Sequence, residues 1–371
     1  MMGELSESLR REGALDSAEA VQRSALTLSQ REPEADSLDV ATALMKLGIV
    51  LRHQGNLDRA EALHRQALQL RRSRLPPDHL DRITSLQNLA SVLSQRDKYE
   101  QAETLYRRVI ATYRENGVEK HPGVAQSLSG LGVTLRKQGY FGRAEEAYRQ
   151  ALSIERSHVE APHPDLALYL NNLGVTLKKQ GRLEEAATVH QRALSMRRTL
   201  FDKGHSATIG SLNNLATLRF SQDRVDQAAR RMRMVVSQLR TRHGDDHPRT
   251  AVARNNLAVI LSRKEQHERA IPLYRAAVPT YENAFGSGHP RLVKLKVRLA
   301  ESLLDLNRYA AADSLLTATH RTVKAVDAAD SSAVARIHDQ LANLHEARGN
   351  SEVAAQYRQG RHPKSASDSS E

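Results

Sequence analysis

Apolar residues recur along this chain at helical spacing, and the whole pattern then recurs. Leu166, Leu170, Leu173 and Leu177 fall three or four residues apart, which puts them on one face of a helix. Gly181 follows as a turn, and Leu183 and Ala186 open a second helix. A shift of 42 residues in either direction reproduces the match. One column reads Leu5, Leu47, Leu89, Leu131, Leu173, Leu215, Leu257, Leu299 and Leu341. Another reads Ala18, Ala60, Ala102, Ala144, Ala186, Ala228, Ala270, Ala312 and Ala354. An unbroken period of this length predicts an all-α solenoid of nine two-helix units, the first and last incomplete, over residues 1–359 as a single array.

Other columns assign parts to each unit. The turn position holds Gly13, Gly55, Asp97, Gly139, Gly181, Asp223, Glu265, Asn307 and Gly349. Gly and Asn suit the left-handed conformation that ends a helix, Asp is a second choice, and Glu265 is the odd member. The residue after the leucine is always small (Ser6, Gly48, Ala90, Gly132, Gly174, Ala216, Ala258, Ala300, Ala342), so a neighbouring helix can come close. The second helix carries a bulky column, His64, Tyr106, Tyr148, His190, Met232, Tyr274 and Leu316. Units close on His-Pro pairs such as His121-Pro122 and His163-Pro164, where proline presets the first turn of the next helix. Pro279, inside a second helix, is expected to kink or end it. By this count the chain starts inside a unit, as a short helix or as the tail of a longer polypeptide would. The polar residues 360–371 are expected to be a disordered tail.

Composition narrows the chemistry. Aromatics are 4% and Trp is absent, so the core must be built mostly of Leu, Ala, Val and Ile. With no Cys there is no disulfide, thiolate metal site or Cys nucleophile, which fits a reducing, cytoplasmic setting. The N-terminus does not read as a signal peptide, and no apolar run approaches the roughly 20 residues of a membrane span, so no membrane role is expected. The net charge of +12 suits nucleic acid, acidic lipid or acidic peptide, and equally suits plain solubilisation of long helices.

The small-residue, Gly-turn, Ala and Tyr columns resemble the tetratricopeptide repeat. The long period, with Leu212-Asn213-Asn214-Leu215-Ala216 and Gly244-Asp245-Asp246-His247-Pro248, resembles its kinesin light chain-like subclass, also abundant in bacteria. The resemblance covers nearly the whole chain. It implies a right-handed superhelix whose first helices line a concave groove that binds extended peptides or protein segments. Such arrays also occur fused to bacterial signalling kinases, but this sequence has no kinase, nucleotide-binding or protease motif.

Candidate binding residues follow. Asn88, Asn172, Asn214 and Asn256 share the column before the core leucine, and Asn171, Asn213 and Asn255 precede three of them. An unpaired amide in the core costs about 1–3 kcal/mol, so these positions should face the groove or a neighbouring helix. An amide donates and accepts, so it can bond a peptide backbone without reading its sequence; it can equally tie adjacent first helices together. The resemblance places the Asn172 column on the groove. Arg52, Arg136, Lys137, Lys178, Lys179 and Arg263 close the same helices, with Lys294 further along. They would favour an acidic segment or terminal carboxylate, or they serve the helix C-terminal dipole.

His243-Gly244-Asp245-Asp246-His247 falls in the His-Pro loop column with nothing metal-like beside it, so neither metal nor cofactor is expected. No nucleophile–base pair or phosphate loop occurs, and the reading is a non-catalytic protein- or peptide-binding scaffold. The alternatives are a nucleic-acid-binding helical repeat, disfavoured by few stacking aromatics, and a detached sensor array of a signalling kinase.

Overall fold

The computed structural model describes residues 2–12, 14–31, 37–325 and 331–360. The expected tail lies outside the described residues except for Gly360, as does the Gly13 turn. Among the described residues there are eighteen helices and no strand. They fall into two compact units, Met1–Leu200 and Phe201–Glu371. The first holds α1 (Met2–Glu12), α2 (Leu15–Arg31), α3 (Ser37–His53), α4 (Leu57–Arg74), α5 (Leu80–Gln95), α6 (Tyr99–Glu115), α7 (Pro122–Lys137), α8 (Phe141–Arg156), α9 (Pro164–Lys179) and α10 (Leu183–Leu200). The second holds α11 (Ser206–Ser221), α12 (Val225–His243), α13 (Pro248–Ser262), α14 (His267–Phe285), α15 (Pro290–Asp305), α16 (Tyr309–Lys324), α17 (Ser331–Ala347) and α18 (Ser351–Arg358). Odd and even helices pair as hairpins at the expected period. Within each unit every helix packs on the next, and first helices also touch first helices, as in α3 with α5, α5 with α7 and α13 with α15. Among the described residues no helix is long and apolar enough to cross a membrane.

Each hairpin turn from Gly55 onward uses a left-handed residue. Gly55, Gly139, Gly181 and Gly349 have φ of 78–88°, and Asp97, Asp223, Glu265 and Asn307 have φ of 56–60°. The next residue's N–H returns to a carbonyl five positions back, as Arg182 N to Leu177 O at 3.0 Å and Lys98 N to Leu93 O at 2.9 Å. That bond satisfies a carbonyl that the helix end would leave open. Pro279 does not end its helix: α14 runs through it to Phe285. Proline there removes one N–H from the ladder and crowds the carbonyl four residues back, and burial of Ala277, Thr280 and Tyr281 on either side holds the helix in place.

The seam of each hairpin is tight. All nine alanines of the Ala18–Ala354 column are 0% exposed. The leucine column is buried from Leu47 onward, while Leu5 in α1 is 53% exposed. The small column lies under the bulky one. A Cβ placed on Gly48 would stand 2.9 Å from the His64 ring, on Gly132 2.8 Å from Tyr148, and on Gly174 2.7 Å from His190. Tyr106, opposite Ala90, presses instead on Gly130 of the following hairpin, where a Cβ would stand 2.4 Å away. In these hairpins the ring occupies the space that a side chain on the glycine would need.

Three outcomes follow. Gly174→Val should cost about 1–3 kcal/mol by overpacking, and His190→Ala in the same chain should return part of it; a double-mutant cycle in denaturant measures the coupling. Glu265→Gly should stabilise by about 0.5–1 kcal/mol, since it relieves a left-handed glutamate; the urea midpoint reports it. His64 and His190 are buried, and loss of hydration first, then the nearby cations Arg52 and Lys178 respectively, hold both at about 4. The unfolded chain takes up these protons near 6.5, so stability is full above pH 6.5 and falls as the pH drops through 6.5 to 4. The loss reaches about 3 kcal/mol per histidine, and His190→Tyr, matching Tyr148 over Gly132, should flatten the profile of thermal midpoint against pH.

Candidate functional site

First helices are buried on most of their circumference, and what remains exposed forms one stripe. On α9 the residues Leu166, Ala167, Tyr169, Leu170, Leu173, Gly174, Thr176 and Leu177 are buried. Leu168 is 41% exposed, Asn171, Asn172, Val175 and Lys178 are partly exposed, and Lys179 is exposed. These positions recur at three- and four-residue steps, which keeps them on one side of the helix. The stripe repeats within the second unit: Gly210, Asn213, Asn214 and Thr217 are partly exposed on α11, and Val252, Asn256 and Val259 reach solvent on α13. Asn88 on α5 is also partly exposed.

Asn255 departs from this arrangement. It is buried at 9% exposure, and its Oδ1 has no hydrogen-bond partner. The amide faces the protein interior, so the argument that such a position excludes an unpaired amide fails there. Gln87, at the Asn171 position of α5, shows what this column does elsewhere. Its Nε2 donates to Gly123 O at 2.9 Å and Ser127 Oγ at 2.7 Å on the next first helix, α7. The column thus contributes to stacking as well as to the surface.

The basic residues separate into two kinds. Arg52, Arg136 and Lys178 occupy the last turn of α3, α7 and α9 and are partly buried. Burial, then the charge of Lys179, lowers the Lys178 amine from its ordinary value, and burial does the same to Arg52. Among the described residues no carboxylate pairs with Lys178 or Lys179. Lys137 is different: its Nζ donates to Ser94 O at 2.9 Å and lies 3.5 Å from Asp97 Oδ1, which ties α7 to the preceding hairpin. Arg263 and Lys294 are exposed.

A cavity of about 570 Å³ opens on the stripe in the second unit, floored by Ile209, Val235 and Leu239 and edged by Gly210, Asn213 and Val252. A Cβ on Gly210 would meet nothing within 4 Å. The His243–His247 loop has other work. The rings stack with centroids 4.3 Å apart, and Asp245 is held by Arg240 at 3.2 Å and by Arg254.

The loop histidines have a role that attention to their prolines hid. His79, His121, His163, His205, His247 and His289 are helix N-caps, each accepting through Nδ1 from the backbone N–H two residues on, at 3.0–3.3 Å. Their recurrence at the repeat spacing, with or without proline after them, was the available signal. Acidic residues of second helices were also overlooked. Burial alone would raise Glu61, but hydrogen bonds from Arg65, Lys98 and Arg96 hold it at about 2. Glu145 is likewise engaged by Gln180 at 2.9 Å and by Arg182 at 2.7 Å from the next hairpin.

Known proteins agree with this architecture. The family model described as tetratricopeptide repeat matches residues 1–73, 39–115, 81–157, 165–241 and 207–283. No curated protein sequence matches the chain at a significant level. Among solved structures, BtubC (BKLC) from P. vanneervenii is 20% identical with a TM-score of 0.53, covering 63% of this chain and 92% of that one. The apo quorum sensor NprR from B. thuringiensis is 14% identical with a TM-score of 0.61, covering 86% and 85%. A Rap protein complexed with competence and sporulation factor is 15% identical with a TM-score of 0.56, covering 97% and 95%. These likenesses concern the fold; the repeat match, spread over most of the sequence, establishes that the chain belongs to the tetratricopeptide repeat family.

Proposed function

We propose that this protein is a non-catalytic cytoplasmic scaffold that holds an extended peptide or protein segment along the exposed stripe of its first helices. The observation that carries the reading is the stripe itself. A helix buried on every other side keeps a line of Leu168, Asn171, Asn172, Val175 and Lys178 in contact with solvent. Apolar, amide and cationic groups at consecutive helical steps offer contact area, backbone hydrogen bonds and a counter-charge to one chain. The Rap protein named above, similar in fold, was solved in complex with competence and sporulation factor, which supports the reading. The half-buried Lys178 and Arg52, short of compensating charge, favour an acidic segment, because a docked carboxylate would offset their desolvation. Nucleic acid is the weaker reading, since the α9 stripe offers no ring for bases to stack upon.

Affinity capture followed by titration of the captured segment tests the assignment. Asn171→Ala with Asn172→Ala should weaken binding at least tenfold, about 1.4 kcal/mol, with helical circular dichroism unchanged. Lys178→Glu should discriminate further against acidic segments. Equal affinity in the double variant would reject the stripe as the binding surface.

A further inference from the structure

The last hairpin of the second unit is fastened differently from those of the first. The earlier junctions repeat a buried apolar pair, one residue on a second helix and one on the first helix that follows. Leu68 and Leu86, Ile110 and Leu128, and Leu152 and Leu170 fill these two places, each 2–5% exposed. Toward the end of the chain the second place turns basic, as Arg254, Lys296 and His338. Arg254 is bound to Asp245, and Lys296 lies 3.6 Å from Glu282 Oε1. At the last junction the first place changes as well, to His320 on α16.

Both imidazoles are buried, 1% and 7% exposed, and their Nε2 atoms lie 2.9 Å apart. A hydrogen bond between two imidazole nitrogens needs one N–H and one lone pair. The closed pair therefore has room for one Nε2 proton, held between α16 and α17. A second would remove the acceptor and set N–H against N–H, with two like charges side by side in a buried place. The hairpin closes over an apolar cluster that includes Val293 and Val297 of α15, Leu316 of α16, Ile337 and Leu341 of α17 and Tyr357 of α18. The Tyr357 ring lies 5.7 Å from that of His338 and stays neutral in mild acid, since burial, then Asp313, raises its phenol. His345 stacks on Tyr357 at 5.6 Å. Glu301 of α15 accepts from Gln340 at 3.3 Å, and Arg298 on the same helix is partly exposed. Asp313 of α16 holds Arg348 at 3.0 Å, and Arg358 of α18 holds Glu346 at 2.9 Å. Arg321, Lys324, Arg336 and Asp339 are exposed.

We propose that the hydrogen-bonded pair His320–His338 is an acid-released latch that holds α17 and α18 on the second unit. In an opened hairpin each imidazole takes its own proton, whereas the closed pair cannot keep both at Nε2. The closed form binds fewer protons, so it loses ground as the pH falls through the ordinary histidine range, near 6.5. Opening bares the α15 and α16 side of the apolar cluster.

Hydrogen exchange resolved by segment, on the full chain, tests the latch. Between about pH 7.5 and about pH 5.5, after correction for intrinsic rates, exchange in α17 and α18 should rise about tenfold relative to α13. Reading segments of one unit against each other separates this response from that of His64 and His190, which belong to the first unit. His320→Leu with His338→Leu copies the Leu68 and Leu86 places; it should fold, and its α17 and α18 should lose the acid-dependent rise. His345→Gln should keep the wild-type response. A flat profile in the wild type, a rise that survives in the double leucine variant, or a rise lost in His345→Gln would overturn the latch.

Discussion

Rings lying against bare helix backbone govern this molecule. His64 over Gly48, Tyr148 over Gly132 and His190 over Gly174 bring the two helices of a hairpin to a distance at which a single added carbon would collide. The alanine column closes the same crossing from the other side at 0% exposure. Packing at that density leaves no slack, so the angle between helices is set by volume rather than by long-range charge. Everything outward of the seam inherits its geometry from it: the turn, the exposed stripe and the loop that begins the next hairpin. Because each hairpin contacts only near neighbours, the arrangement can be repeated without enlarging any one core.

Repetition also explains how much could be read beforehand. A single helix–turn–helix is ambiguous, but columns of nine residues average away local noise, so helix class, period and left-handed turns were legible. Asp97, Asp223 and Glu265 occupy a conformation that favours glycine only because the hydrogen bond after the turn and the packing beyond it outweigh the local strain. The prolines beside the loop histidines drew attention from the imidazoles, which cap helices in place of the usual Ser, Thr, Asp or Asn. Pro279 shows the converse: of the kink or end expected there, the end does not occur, because the helix runs past it with buried residues on both sides. Asn255 and Asn256 share an identity but not an environment, the first buried and the second partly exposed, which a repeated letter does not reveal.

The candidate surface was less legible than the fold for a physical reason. Periodicity reports which face of a helix is buried, and the stripe is what remains after that face is subtracted. Residues within the stripe are not constrained by packing, so their identities vary between units, from Gly210 to Leu168 to Val252. The cations show the same limit: Lys137 and Lys178 belong to adjacent columns, yet one is tied to the preceding hairpin and the other is half-buried with no carboxylate paired to it among the described residues. Buried charge at the ends of second helices was invisible for a related reason. Arg71 and Glu155 stand near polar helix ends, and both are buried once the following hairpin packs on them.

The acidic clasps between a second helix and the turn of the following hairpin have a consequence for how such an array can change. Glu61 is gripped by Arg96 and Lys98, and Glu145 by Gln180 and Arg182, whereas the equivalent places later in the chain are Ala187, Ala229 and Ile271, all buried. A hairpin transplanted from one context to the other would set a carboxylate against an alkyl surface, or strand a guanidinium with nothing to hold. The bricks share a shape but not a mortar. The joints therefore carry an order that the repeat does not: a shuffled or deleted hairpin would part Glu61 from Lys98, or Glu145 from Arg182, and leave the carboxylate without its partner across the joint.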